Sequence, residues 1–127
     1  MKEILEKVMI WHKKFGVNIE KEPIIPNKQR CKLRYDILLE EVNEFKEAYE
    51  NDDIVEVADA FADILYVLLG NVVEFGLQDK FQEIFDEVHR SNLTKLDELG
   101  LPLIREDGKI MKSKLFSPPD IKSILNR

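Results

Sequence analysis

Apolar residues recur at helical spacing in four stretches of the chain, and turn-forming residues separate the stretches. Residues 2 to 15 carry Ile4, Leu5, Val8, Met9, Trp11, His12 and Phe15 at intervals of three and four, and Gly16 supplies a stop. Asn18, Pro23, Pro26 and Asn27, around an extended Ile24-Ile25 pair, predict a surface loop over 17 to 27. A second helix is predicted from about Lys28 to Glu50. Asn51-Asp52-Asp53 then offers a turn and a capping residue for a third helix, from about Asp53 to Phe75, which Gly76 ends. A fourth, from about Gln78 to Leu96, places Phe81, Ile84, Phe85 and Val88 on one face. Beyond Asp97 the pattern breaks at Gly100, Pro102, Gly108 and Pro118-Pro119. Leu103-Ile104-Arg105 and Lys109-Ile110-Met111 flank Glu106-Asp107-Gly108, the signature of a small hairpin, and Asp120 to Asn126 suits a final helical turn or two. The expected architecture is all-α: one domain over 1 to 127, a four-helix bundle over about 2 to 96, and a short irregular extension over about 97 to 127.

Two of these helices contain residues that contradict their burial. In the second, Ile37, Leu38, Val42, Phe45, Ala48 and Tyr49 form an apolar arc, yet Glu41 projects from within it and Glu44 follows one turn along the same stripe. In the third, apolar residues run nearly all round from Ile54 to Leu69, so a helix here is central. Its acids, Glu56, Asp59 and Asp63, share one stripe. Carboxylates are expensive to desolvate without a positive partner. Residues 47 to 74 contain no basic side chain, although Arg30, Lys32 and Arg34 on the second helix could serve as partners in a purely structural arrangement. The alternative is a site for a hard divalent cation with oxygen ligands, above all Mg²⁺. Glu40, Glu47 and Glu50, taken singly, read as solvated helix face.

Composition narrows the setting. A chain of 127 residues can enclose a core of its own, with a partner chain completing the burial, so a homodimer or higher homo-oligomer is expected. The net charge of −6 argues against long nucleic acid as a partner. The single cysteine, Cys31, permits no internal disulfide and reads as a small hydrophobe, and no secretory leader pattern precedes the first helix, so a cytoplasmic setting is expected. The apolar run from Ile64 to Leu69 falls far short of the roughly 20 residues a membrane span requires.

Other chemistries fit less well. A ferritin-like di-iron site uses Glu-x-x-His pairs, and with two histidines in the chain the nearest match is Asp86-x-x-His89. His12 on an apolar face reads as a core or capping histidine. No Gly-rich phosphate loop is present. Oxygen-ligated Mg²⁺ usually meets phosphates, because substrate oxygens complete its octahedron. The segment His89-Arg90-Ser91-Asn92-Leu93-Thr94-Lys95 offers cations and amides to such a ligand, although basic residues also suit an ordinary helix C-terminus.

Taken together, Glu40-Glu41-Val42-Asn43-Glu44 and the acidic stretch from Glu56 to Asp63 resemble the two-part signature of the all-α nucleoside triphosphate pyrophosphohydrolase superfamily, which includes MazG, phosphoribosyl-ATP pyrophosphohydrolase and the dimeric dUTPases. A MazG-like subgroup is the nearest resemblance, through Trp11-His12-x-x-Phe15-Gly16, the Pro-rich loop, Asp59-Ala60-Phe61-Ala62-Asp63, Glu87 to Lys95 and the tail from Arg105 to Ile121. In the commonest form of the second motif a Glu stands three residues before the Asp; aligned on Asp63, that position is Ala60. Asp59 or Glu56 is left to supply the missing oxygen.

The resemblance implies a four-helix MazG-like bundle, dimeric, and an enzyme that hydrolyses a phosphoanhydride bond of a (d)NTP or of phosphoribosyl-ATP to release pyrophosphate and a nucleoside monophosphate. It implies Mg²⁺, with Mn²⁺ able to substitute, held by Glu41, Glu44, Asp59 and Asp63, with Glu56 as an alternative ligand. Glu40 and Glu41 would serve catalysis, Glu40 by binding a further metal or orienting the attacking water. Lys95 and Arg90 would neutralise phosphate charge, and Asn92 would hydrogen-bond base or sugar. The competing expectation is a non-catalytic dimeric helical module that binds nucleotide or protein.

Overall fold

Side-chain caps set the helix starts. In a computed structural model describing residues 1–127, Asn27 Oδ1 accepts the Arg30 backbone N–H at 2.8 Å and opens α2 (Lys28–Glu50). Asp53 Oδ1 accepts from the N–H groups of Val55 and Glu56 and opens α3 (Ile54–Glu74). Ahead of both lies α1 (Lys2–Phe15), which ends at Gly16 in the left-handed conformation. These spans agree with the periodicity to within a residue.

The chain divides into two compact units, Met1–Asp79 and Lys80–Arg127. In the first, α1 and α2 both pack on α3. Leu5 and Val8 of α1 and Leu69, Val72 and Val73 of α3 are buried, while the α2–α3 seam holds Ala48 and Ala60. The small seam residues leave room beside them for larger polar groups.

One end of this unit is pinned by a buried ionic network. Glu74, 1% exposed, accepts from Arg30 Nε at 2.6 Å through Oε1 and lies 2.9 Å from Arg34 Nε through Oε2. The Arg34 Nε–H is aimed at Asn71 Oδ1, 2.7 Å away, so the second Glu74 contact is an ion pair without hydrogen-bond alignment. Arg34 Nη2 also donates to the Val67 carbonyl. The guanidinium fits because Gly70 has no side chain: a Cβ there would stand 2.6 Å from Arg34 Nη2 and 3.1 Å from His12 Nε2. Gly76 has a similar purpose, since a Cβ on it would meet the Glu22 carbonyl oxygen at 2.0 Å. His12 is buried, its Nδ1–H donating to the Asn18 carbonyl, and burial lowers its pKa. It is therefore a core histidine.

The second unit contains α4 (Phe81–Leu93), strands β1 (Leu103–Ile104) and β2 (Ile110–Met111), and α5 (Ile121–Leu125). The strands pair antiparallel, Leu103 with Met111 and Ile104 with Ile110, around the turn carrying Gly108. The expected hairpin is present. Helix α4 is shorter than its periodicity predicts. Before it, the Gln78 side chain is drawn away to the Glu20 carbonyl at 2.6 Å. After it, the Thr94 hydroxyl donates to the Ser91 carbonyl and accepts the Ser117 N–H, which ends the helix and ties the tail to it. The all-α class holds, with three of the four long helices in the first unit and α4 in the second. No helix is long and apolar enough to cross a membrane.

Candidate metal centre

The acidic residues of α2 and α3 meet across the seam. Glu41, Glu44 and Asp63 each present a carboxylate oxygen, and these atoms lie within 4.8 Å of one another. The spacing follows from the helices: Glu41 and Glu44 are one turn apart on the α2 stripe that contains Ala48, and Asp63 is one turn beyond Ala60. Oxygen ligands on one small divalent ion stand about 3 to 4 Å apart, so a spacing within 4.8 Å puts these three oxygens within reach of a single cation.

Nothing in the protein neutralises these groups. Arg30 and Arg34 are committed to Glu74, and Lys32 pairs with Asp36 at 2.6 Å. None of the ion pairs involves Glu40, Glu41, Glu44, Asp59 or Asp63. The structural alternative, acids balanced by basic residues of the same helix, therefore fails on geometry. One Glu41 oxygen, Oε2, is sealed from solvent and has no hydrogen-bond partner. A carboxylate left in that state is costly unless a ligand meets it.

The electrostatic result is a proton-holding cluster. Burial, a hydrogen bond with Glu44, and the charges of Glu44, Asp63 and Glu40 push the Glu41 carboxyl up to about 7. Burial, the charges of Asp59 and Glu44, and a hydrogen bond with Asp59 raise the Asp63 pKa as well. Asp59 thus stands directly against Asp63. Glu56 lies instead among the lining residues of an adjoining cleft of about 440 Å³, which runs from Glu44 and Asp59 to the α2–α3 turn. Glu40 is exposed and reaches the cluster through its charge on Glu41.

Two residues of this cleft escape a reading based on single acids. Glu47, which reads as solvated surface, and Asn51 continue the Glu44 stripe by three and seven residues and line the cleft with it. That spacing was the available signal. Glu47 and Glu50 also occupy the last turn of α2, which has no basic residue, where negative charge opposes the helix dipole.

The remaining candidates, Arg90, Asn92 and Lys95, belong to the second unit. Arg90 is engaged there: it holds Glu87 through two nitrogens and donates to Ser117 Oγ and the Pro118 carbonyl. Arg90 and the Asp120 N–H together pull the Glu87 carboxyl down to about 2. Asn92 is exposed and Lys95 half-buried, with no side-chain carboxylate paired to the lysine.

Comparison with known proteins adds two findings. The family described as Phosphoribosyl-ATP pyrophosphohydrolase matches residues 9–92, a span that contains the whole acidic cluster. A mimivirus protein of Acanthamoeba polyphaga mimivirus, described as "Uncharacterized protein L479", is 30% identical over 102 residues, covering 80% of this chain and 38% of that protein. The chain thus aligns with well under half of this relative's length.

Proposed function

The chain belongs to the phosphoribosyl-ATP pyrophosphohydrolase family of the MazG-like superfamily, and on that premise we propose that it is a Mg²⁺-dependent nucleotide pyrophosphohydrolase, with Mn²⁺ able to substitute. The observation that carries this reading is the unneutralised Glu41, Glu44 and Asp63 cluster with its sealed, unpartnered Glu41 oxygen. The donor set is wholly carboxylate oxygen, which selects a hard cation over zinc or copper.

Glu41, Glu44 and Asp63 would hold the ion, with Asp59 beside them as a further oxygen. When bound, the cation would neutralise the phosphate charge that builds on the leaving pyrophosphate and sharpen the acidity of water. Water adds to a phosphorus of the triphosphate while the phosphoanhydride P–O bond breaks, giving a nucleoside monophosphate, pyrophosphate and one proton. Glu40, exposed at the edge of the cluster, would orient the water and accept that proton. The cleft lined by Glu44, Glu47, Asn51 and Glu56 has space for the body of a small-molecule nucleotide. A (d)NTP and phosphoribosyl-ATP both satisfy this chemistry. Two copies would assemble through the apolar faces of α2 and α3, where Val42, Phe61 and Leu65 are exposed.

The test is pyrophosphate release from a panel of (d)NTPs, dUTP and phosphoribosyl-ATP with Mg²⁺ or Mn²⁺, comparing the unmodified protein with Glu41→Gln and Asp63→Asn. Metal-dependent release that falls at least 100-fold in folded variants supports the reading. Soluble, folded protein that acts on no member of the panel sinks it and leaves a binding module.

A further inference from the structure

The hairpin of the second unit has no inside. Both strands are exposed, and Leu99, Leu101, Leu103, Ile104, Ile110 and Met111 all face solvent, Leu99 at 82% exposure. A two-stranded ribbon is marginal in water unless one face is covered. So many apolar side chains close together mark a contact surface.

Charge identifies what covers it. Residues 99 to 116 contain four basic and two acidic side chains, a net of +2, which leaves −8 for the rest of a chain totalling −6. Arg105 is taken by Asp107, but Lys109, Lys112 and Lys114 have no carboxylate partner. Two such ribbons facing each other would set lysines against lysines. The complementary surface is the α2–α3 turn: its cleft is lined by Glu44, Glu47, Asp53, Glu56 and Asp59 with no basic residue, and its lip carries Ile54 and Val55 at 74% and 72% exposure. Apolar side chains and charges match together there, a pairing that sets both orientation and partner choice.

We propose that the arm formed by residues 99 to 116 docks on the α2–α3 turn of a second copy of this chain, its apolar side chains against Ile54 and Val55 and its lysines toward the acid-lined cleft. The docked lysines supply the cations that the cleft lacks, so they face the phosphates of a nucleotide bound there. This last step rests on the hydrolase reading; the docking does not. A symmetric pair of chains exchanging arms is closed and self-limiting.

The docking is tested with full-length chains in a Cys31→Ser background. A tagged Ile54→Cys chain is mixed with an untagged Ile110→Cys chain and treated with a short bismaleimide. The expected product is a mixed-size dimer that neither chain forms alone, reduced at least tenfold by Lys109→Glu, Lys112→Glu and Lys114→Glu together. No mixed product, equal linking of Ile54→Cys to itself, or indifference to the lysine changes overturns the proposal. Circular dichroism confirms that each variant is folded.

The shared site is tested by mixing Glu41→Gln chains with the triple lysine variant, which should restore about a quarter of normal pyrophosphate release, since half the dimers are mixed and each has one complete site. No recovery alongside positive cross-linking removes the lysines from the site. If the unmodified protein releases no pyrophosphate, the hydrolase reading fails while the cross-linking result stands by itself.

Discussion

Replacing Glu41 by Gln should stabilise the metal-free protein, a direction opposite to most substitutions at half-buried positions. Gln keeps the shape of the side chain and removes the charge. The Glu41 carboxyl moves from an ordinary 4.5 in the unfolded chain to about 7 in the fold. The folded state therefore binds the extra proton between those values, and its stability declines as pH rises from 4.5 through 7. At about 1.4 kcal/mol per pKa unit, this displacement sets an upper bound of about 3.4 kcal/mol at pH 8. Partial exposure and screening reduce the realised amount to roughly 1–2 kcal/mol. For a chain of this size that is about 4 to 8 °C in Tm. The assay is thermal unfolding in EDTA at pH 8, repeated below pH 5, where Glu41 is protonated and the gap should close. Mg²⁺ at 100 times its Kd should stabilise the unmodified protein by about 2.7 kcal/mol and the variant by far less. A Glu41→Gln protein that melts at or below the unmodified one at pH 8 without metal would refute the argument that this carboxylate is held against an electrostatic cost.

Four further outcomes follow from named contacts. Mg²⁺ must displace the proton held near pH 7 on Glu41, so its apparent affinity should fall about tenfold per pH unit below 7 and binding should release protons, measurable by calorimetry in buffers of different ionisation enthalpy. Gly70→Ala should lower stability by about 1–3 kcal/mol in urea unfolding, because the new methyl meets Arg34 Nη2 at 2.6 Å; an unchanged midpoint would show that the guanidinium moves freely. Glu74→Gln leaves Arg30 and Arg34 without their carboxylate and should cost about 3–5 kcal/mol. The burial that lowers the His12 pKa keeps it neutral in the fold, so its contribution is lost as pH falls from 6.5 through the lower folded value. That loss is best read in a Glu41→Gln background, where the opposing slope from Glu41 is absent.

Most of the fold was legible because its determinants are local. Gly16, the Asn27 and Asp53 caps and the Gly108 turn each act within four residues of where they stand. The trimming of α4 was not legible, since it depends on Gln78 reaching back to Glu20 and Thr94 meeting Ser117, pairings that no periodicity encodes. The same division holds at the site. Glu41, Glu44 and Asp63 were readable as charges inside apolar arcs, and the structure brings these three together. The places of Asp59 and Glu56 depend on the seam itself, where Ala60 is buried: both line the cleft, and Asp59 also lies against Asp63. Arg30 and Arg34 illustrate the limit most sharply. In sequence they stand near the acids of α2 and could have neutralised them. What removes them is Glu74, more than 40 positions from Arg30, together with the space left by Gly70. The charge of the acidic cluster is thus preserved by ion pairs made elsewhere: Glu74 holds Arg30 and Arg34 at the far end of the same helices, Glu50 holds Lys46, and Glu41, Glu44 and Asp63 are left with no basic partner.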